Sequence, residues 1–411
     1  MLLRNSAAAG LVAGIVALTG PSAPSFADSP ADSPSTWPYT GATAGQPERD
    51  PVLVAIGDVS CQPTAPVEAE KQSDVCDKTG AGYQVRWQAQ IATADEIEAI
   101  QPDLVAVLGD EQYEVGRYED FMGSFDHTYG AFKFLQRPAP GNHEFYSQHG
   151  ESGVKGVGYF DYYNGYEVNS TDGSPVTAAV TAGDGGAPVV QPVPRQDGQA
   201  GHMGTDGDGW YSYNLGGWHI ISLNIECEVE QGGCNPDGEW LSRETAWLER
   251  DLAANHAQCT VAYWHQPTFS VADAPVQGSR FTSPEGTAAD TWWTLLYQHG
   301  ADLILNGHDH TYARYAPLNP AGKPDPRHGI REFIIGTGGE SLDQPTTNDN
   351  TPYLQVATGD YYGVMKFTLH HDSYDWDYES AMKDPGAPAN EAASFSDKGS
   401  ASCHGPAAAD R

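Results

Sequence analysis

The sequence predicts an α/β fold, and three observations predict it. Short β-rich apolar runs alternate with helix-patterned stretches, and the first three elements read strand, helix, strand. Polar residues of ligand type stand where several of these strands run out. With 411 residues, the chain is long enough for one large α/β core carrying loop insertions.

The elements follow in order. Arg4 precedes the apolar run Ala7 to Leu18, and Ser25-Phe26-Ala27 is a small-x-small triplet, so residues 1–27 are expected to be an export signal. That run is shorter than the roughly 20 apolar residues a membrane span needs. A secreted, extracellular protein without a membrane partner is expected. Residues 28–50, rich in Pro, Ser, Ala and Gly, read as a flexible leader. The ordered domain is expected over residues 51–384. Val52–Ile56 reads as a buried strand, Val85–Ile100 as a helix and Asp103–Leu108 as the next strand, with a weaker strand over Arg137–Pro140. The 145–209 stretch, dense in Gly, Pro, Asp and Thr, reads as an insertion too irregular for core structure. Further strands are expected at Trp218–Ile225, Cys259–Trp264, Asp302–Leu305, Glu332–Ile335 and Val364–Leu369. Helices fit Glu239–His256, where Trp240, Leu241, Trp247, Leu248 and Leu252 recur near helical spacing, and Thr287–Gln298. Residues 385–411 are expected to form a C-terminal tail.

The chain carries 55 acidic against 21 basic residues, a net charge of −34. Such a field repels nucleic-acid backbones and anionic membranes, so neither is an expected partner. Six cysteines in an exported chain favour disulfides over thiolate metal sites. Two short local loops suggest Cys61 with Cys76 and Cys227 with Cys234. Cys259 with Cys403 would then tie the tail to the core.

The chemistry is carried by position. Val52 to Gly57 ends in Asp58, Leu104 to Gly109 in Asp110, Leu303 to Gly307 in His308, and Val261 to Trp264 in His265. Gly141-Asn142-His143-Glu144 follows the weaker strand. In α/β sheets, sites are built in the loops outside the carboxyl ends of strands. A glycine before the ligand lets the backbone turn there. Singly, each signal is weak, because Gly-Asp is common in turns and a lone histidine is more often a surface or satisfied core residue. Five such motifs in one order are hard to explain by packing.

These blocks resemble the calcineurin-like metallophosphoesterases and, within them, the purple acid phosphatase branch. They read Gly57-Asp58, Gly109-Asp110-Glu111-Gln112-Tyr113, Gly141-Asn142-His143-Glu144, Ala262-Tyr263-Trp264-His265 and Gly307-His308-Asp309-His310. The resemblance implies a four-layer α/β/β/α sandwich of two mixed sheets flanked by helices. It also implies two metal ions. The first would take Asp58, Tyr113, His310 and a shared Asp110; the second would take Asp110, Asn142, His265 and His308. Most of the superfamily places a histidine ligand where this chain has Ser60, and Tyr113 stands where the purple phosphatases carry a compensating tyrosinate. That exchange implies Fe(III) in the first site, with Fe, Zn or Mn in the second. His143 resembles the family histidine that contacts the phosphate and could protonate the departing alkoxide.

Two cations beside one water make hydroxide available for in-line attack on phosphorus, so the expected activity is hydrolysis of small phosphate monoesters. The same metals could serve a phosphodiesterase, and a non-catalytic acidic envelope protein could retain the fold.

Overall fold

The computed structural model describes residues 49–63, 76, 81–146, 156–164, 167–168, 175–176, 209–226, 239–271, 288–346 and 353–405. The expected export signal, nearly all of the leader, most of the insertion and the Cys227–Cys234 pair lie outside these residues.

The βαβ opening consists of β1 (Val52–Ile56), α1 (Ala81–Ile100) and β2 (Leu104–Leu108). Short helical segments follow, α2 (Tyr118–Asp120), a π turn (Phe121–Phe125), α3 (Asp126–Thr128) and a 3-10 stretch (Gly130–Leu135). They lead into β3 (Gln136–Ala139), α4 (Asn142–Phe145) and α5 (Val157–Asn164). After a small β4 (Glu167–Val168) and β5 (Pro175–Val176) pair come β6 (Tyr211–Leu215), β7 (Trp218–Ser222), α6 (Glu239–Ala254), β8 (Cys259–Tyr263) and α7 (Ala288–Gln298). The chain then runs through β9 (Leu303–Asn306), β10 (Tyr312–Tyr315), β11 (Arg331–Ile335), β12 (Leu354–Thr358), β13 (Tyr361–Leu369), β14 (Ser373–Lys383) and β15 (Ser396–Ser402).

Two mixed sheets result: a six-stranded one ordered β15-β14-β13-β1-β2-β3 and a seven-stranded one ordered β12-β10-β11-β9-β8-β7-β6. In the first, β1, β2 and β3 are parallel; in the second, β7, β8, β9 and β11 are parallel. Side chains alternate along these strands. Val261 and Tyr263 of β8, with Leu303 and Leu305 of β9, face Leu53, Ala55, Leu108, Met365 and Phe367 across the space between the sheets. Ala262 and Ile304 point the other way, onto Leu241, Leu248 and Leu252 of α6 and Trp292, Trp293 and Leu296 of α7. Helix α1 packs on β13 and β14. The layers are helix, sheet, sheet, helix, so both sheets carry chemistry on one rim, where the parallel strands end.

Disulfides join Cys61 to Cys76 and Cys259 to Cys403. Two expectations need correction. Residues 396–402 are an edge strand of the first sheet, pairing with β14 from Ser373↔Ser402 to Glu379↔Ser396, so the domain does not end at 384. The 145–209 stretch does contribute core structure, because α5 buries Tyr159, Phe160, Tyr162 and Tyr163. Tyr162 stacks on Phe121 at 4.8 Å, and the buried hydroxyls keep partners, Tyr162 on Asp126 Oδ1 at 2.8 Å and Tyr163 on Gln136 Oε1 at 3.0 Å. This aromatic run inside a Gly- and Asp-rich stretch packs on α2, α4 and the π turn, with the Tyr159 and Tyr163 hydroxyls reaching β3.

Candidate metal centre

Three of the expected ligands sit at strand ends in left-handed backbone, with φ of 60° at Asp58, 50° at Asp110 and 69° at His308. A non-glycine residue there costs roughly 1–2 kcal/mol, and such strain gathers at functional sites. The turning freedom was expected from the preceding glycines, but among Gly57, Gly109, Gly141 and Gly307 only Gly109 has positive φ, at 89°. Gly307 supplies space instead, since a Cβ there would stand 2.6 Å from Asp58 Oδ2.

The seven expected ligands converge. On one side, the Tyr113 hydroxyl lies 2.9 Å from Asp58 Oδ1 and 3.1 Å from His310 Nε2, which is itself 3.4 Å from Asp58 Oδ1. On the other, His265 Nε2 lies 3.1 Å from Asn142 Oδ1 and 3.1 Å from His308 Nδ1. Asp110 stands between the two groups, its Oδ2 3.2 Å from the Tyr113 hydroxyl and 3.1 Å from His265 Nε2. Asp58, Asp110, Tyr113 and His265 are buried.

The groups behind the ligands fix their orientation. Leu108 O takes the His265 Nδ1 side at 2.8 Å and Ser341 O the His310 Nδ1 side at 3.0 Å, so both Nε2 atoms turn inward. The His308 amide donates to Asp58 Oδ2 at 2.8 Å, and the His143 amide to Asp110 Oδ1 at 2.9 Å. Glu144 Oε2 accepts the amides of Asp110 and Gly141, both at 2.9 Å, and its Oε1 accepts the Gln112 amide at 3.1 Å, joining the second and third blocks. Ser60 participates through its backbone, its carbonyl receiving the Tyr113 amide at 2.9 Å. The His143 ring lies 4.3 Å from the Tyr113 ring, with Nδ1 on Glu114 O at 2.7 Å and Nε2 3.9 Å from Asp110 Oδ2.

Opposed charges are packed together at this centre. Burial works against a proton on His265, yet Asp110 beside it raises the ring to about 10. Burial and the facing His265 push His308 down to about 3. Burial, then the Asp110 and Asp58 carboxylates, hold the Tyr113 phenol well above its ordinary range. Burial opposes ionisation of Asp110, but His265 and His143 outweigh it and keep its carboxyl low. Imidazole nitrogens and carboxylate oxygens aimed at shared points suit bound cations, with the oxygen-rich Asp58, Tyr113 and Asp110 side suited to a hard ion. Asp110, His265 and His308 offer ligand atoms all within 4.8 Å of one another.

A family profile described as Calcineurin-like phosphoesterase matches residues 52–312. The chain belongs to the calcineurin-like phosphoesterase family. This calcineurin-like phosphoesterase is 26% identical over 293 residues to an uncharacterised protein of Mycobacterium tuberculosis, covering 64% of this chain and 47% of that protein. It is 28% identical over 135 residues to purple acid phosphatase 15 of Arabidopsis thaliana, covering 32% of this chain and 22% of the plant protein. The chain therefore spans about half the length of the first relative and less of the second. Among solved structures, purple acid phosphatase PPD1 from yellow lupin seeds (Lupinus luteus) shares the fold. Its TM-score is 0.50 at 18% identity, over 84% of this chain and 53% of that one. Two of these three likenesses are to proteins named as purple acid phosphatases.

Sequence reasoning singled out neither Glu144 nor Glu340 and Ser341 as supports. Glu144 lies inside a quoted block and was within reach; the other two meet the ligands only through the folded backbone.

Proposed function

We propose that this protein is an exported two-metal phosphatase that hydrolyses small phosphate monoesters. The observation that carries the reading is the place of Asp110, whose single Oδ2 lies within 3.2 Å of both ligand groups. A carboxylate so placed can bridge two ions. Asp58, Tyr113 and His310 would complete the first site and Asn142, His265 and His308 the second. When bound, the pair supplies an activated water and offsets phosphoryl charge. The oxygens of Asp58, Tyr113 and Asp110 on the first side suit a hard ion, which favours Fe(III) there.

The chain's own groups do the rest. Glu114 O holds the His143 Nδ1–H, leaving Nε2 as the atom that carries a proton to the departing alkoxide. Its ring packs against Tyr113 and Tyr146, at 4.3 and 5.1 Å. Export is supported by the signal-like start and by the two disulfides, and among the described residues no helix is long and apolar enough to cross a membrane.

The test is metal analysis of purified protein followed by a panel of phosphate monoesters and diesters. Two metals per chain with faster turnover of monoesters supports the reading. Preference for diesters would move it to a phosphodiesterase, and protein with two metals but no turnover would leave a binding protein.

A further inference from the structure

We infer that Arg86 of α1 is a positioning residue for the half-site of Asp58, Tyr113 and His310, acting through residues 338–343. The inference rests on the two-metal reading above. The buried face of α1 carries Arg86, Gln90 and Thr93, spaced four and three residues apart on one side of the helix. A helix packed on a sheet ordinarily buries an apolar stripe. Here Arg86 and Thr93 bond to one loop, while Gln90 meets it only through Cα and Cβ and turns its amide to Thr128. The Thr93 hydroxyl donates to Gly338 O at 2.7 Å. Gly339 presses on the helix so closely that a Cβ would stand 3.3 Å from Gln90 Cα. Arg86 pairs with Glu340 and donates from Nε and Nη2 to Ser341 Oγ at 2.9 and 2.7 Å.

The far side of that loop holds the ligands. The Gly338 amide donates to Gly57 O and the Glu340 amide to Asp58 O, both at 3.0 Å, and the Asp343 amide to His310 O at 2.8 Å. Ser341 O takes the His310 Nδ1–H at 3.0 Å, which turns Nε2 towards Asp58 and Tyr113. A line of bonds thus runs from the Arg86 guanidinium through Ser341 to the inward nitrogen of His310. Arg86 also supplies the positive charge opposite Glu340, whose carboxylate is almost wholly buried. Removing one partner of a buried pair leaves the other uncompensated, so the loop carrying Ser341 would shift with Arg86.

The test uses the full chain as Arg86→Gln, Arg86→Lys and Ser341→Ala. The first readout is NMR of isotope-labelled histidine in metal-free protein, which reports the proton on His310 Nδ1; the second is titration with iron and zinc salts. Arg86→Gln is expected to release that proton to exchange and to weaken the first metal by roughly 10- to 100-fold while the second holds. Arg86→Lys should recover part of both. Should Arg86→Gln not fold, Ser341→Ala keeps the Arg86–Glu340 pair and is expected to give the same change at smaller size. Variants that fold with an unchanged His310 signal, or that lose both metals equally, overturn the inference. Wild-type protein that binds no metal pair, while Arg86→Gln still frees the His310 proton, removes the two-metal reading and leaves the positioning of His310 standing.

Discussion

The Tyr113 hydroxyl donates to Asp58 Oδ1 at 2.9 Å, in a chain that carries Ser60 two residues after Asp58. Its partner at 3.1 Å is His310 Nε2. If the first metal is Fe(III) bound by this phenolate, purified protein is violet. Tyr113→Phe is then expected to lose the visible band and weaken the first metal by roughly 10-fold or more. An unchanged spectrum and metal content in the variant would assign Tyr113 to packing alone.

Asp110 is the residue whose loss should cost the most. With Oδ2 between both ligand groups and Oδ1 holding the His143 amide, Asp110→Ala is expected to release both metals and abolish turnover. Elemental analysis checks it. A variant retaining one full equivalent of metal would remove Asp110 from the bridging role.

His143 should separate binding of metals from chemistry. His143→Ala is expected to keep both metals and to lower kcat by about 10²–10⁴-fold, the usual contribution of a positioned acid. The loss should shrink for substrates whose leaving group needs no proton. Equal losses for good and poor leaving groups would assign the histidine to phosphate contact.

Glu332 gives a pH dependence. Its carboxyl accepts the Thr268 amide at 2.9 Å and the Phe269 amide at 3.2 Å, in the loop that follows His265. Burial, only partly opposed by those amides, raises it from 4.5 to about 8. Between these values the folded chain holds a proton that the unfolded chain has lost. Its contribution is therefore full below about pH 4.5 and falls as pH rises towards about 8. Denaturant unfolding at both ends of that window should show wild type losing more stability, by up to a few kcal/mol, than Glu332→Gln, which stays neutral throughout. Parallel curves would sink the assignment.

The rim was readable because its residues are local. Each of Asp58, Asp110, His265 and His308 follows directly on an apolar strand, so one pattern reveals both the strand and the group it presents. The supports are not local. Leu108 O and Ser341 O are backbone atoms with no signature in composition, and Glu340 reaches Arg86 from a distant part of the chain. Among the strands, β14 is a period-two run in which Tyr374, Trp376 and Tyr378 turn inward between aspartates, a pattern its acidity obscured. Helix α1 was legible as a helix, although its buried side mixes Arg86, Gln90 and Thr93 with Ala89, Ala94 and Ile97, and its partner loop lies far along the chain.

The left-handed backbone at Asp58, Asp110 and His308 sets stability against chemistry in the history of the chain. Glycine at any of the three would relax the turn and remove a ligand in one step. At Asp58 and Asp110 that relief is set against the amides of His308 and His143, which their buried carboxylates accept, so His308 is the position where glycine relaxes the backbone at the least cost. Laboratory selection for heat resistance alone is therefore expected to accept glycine at His308 before it accepts it at either aspartate.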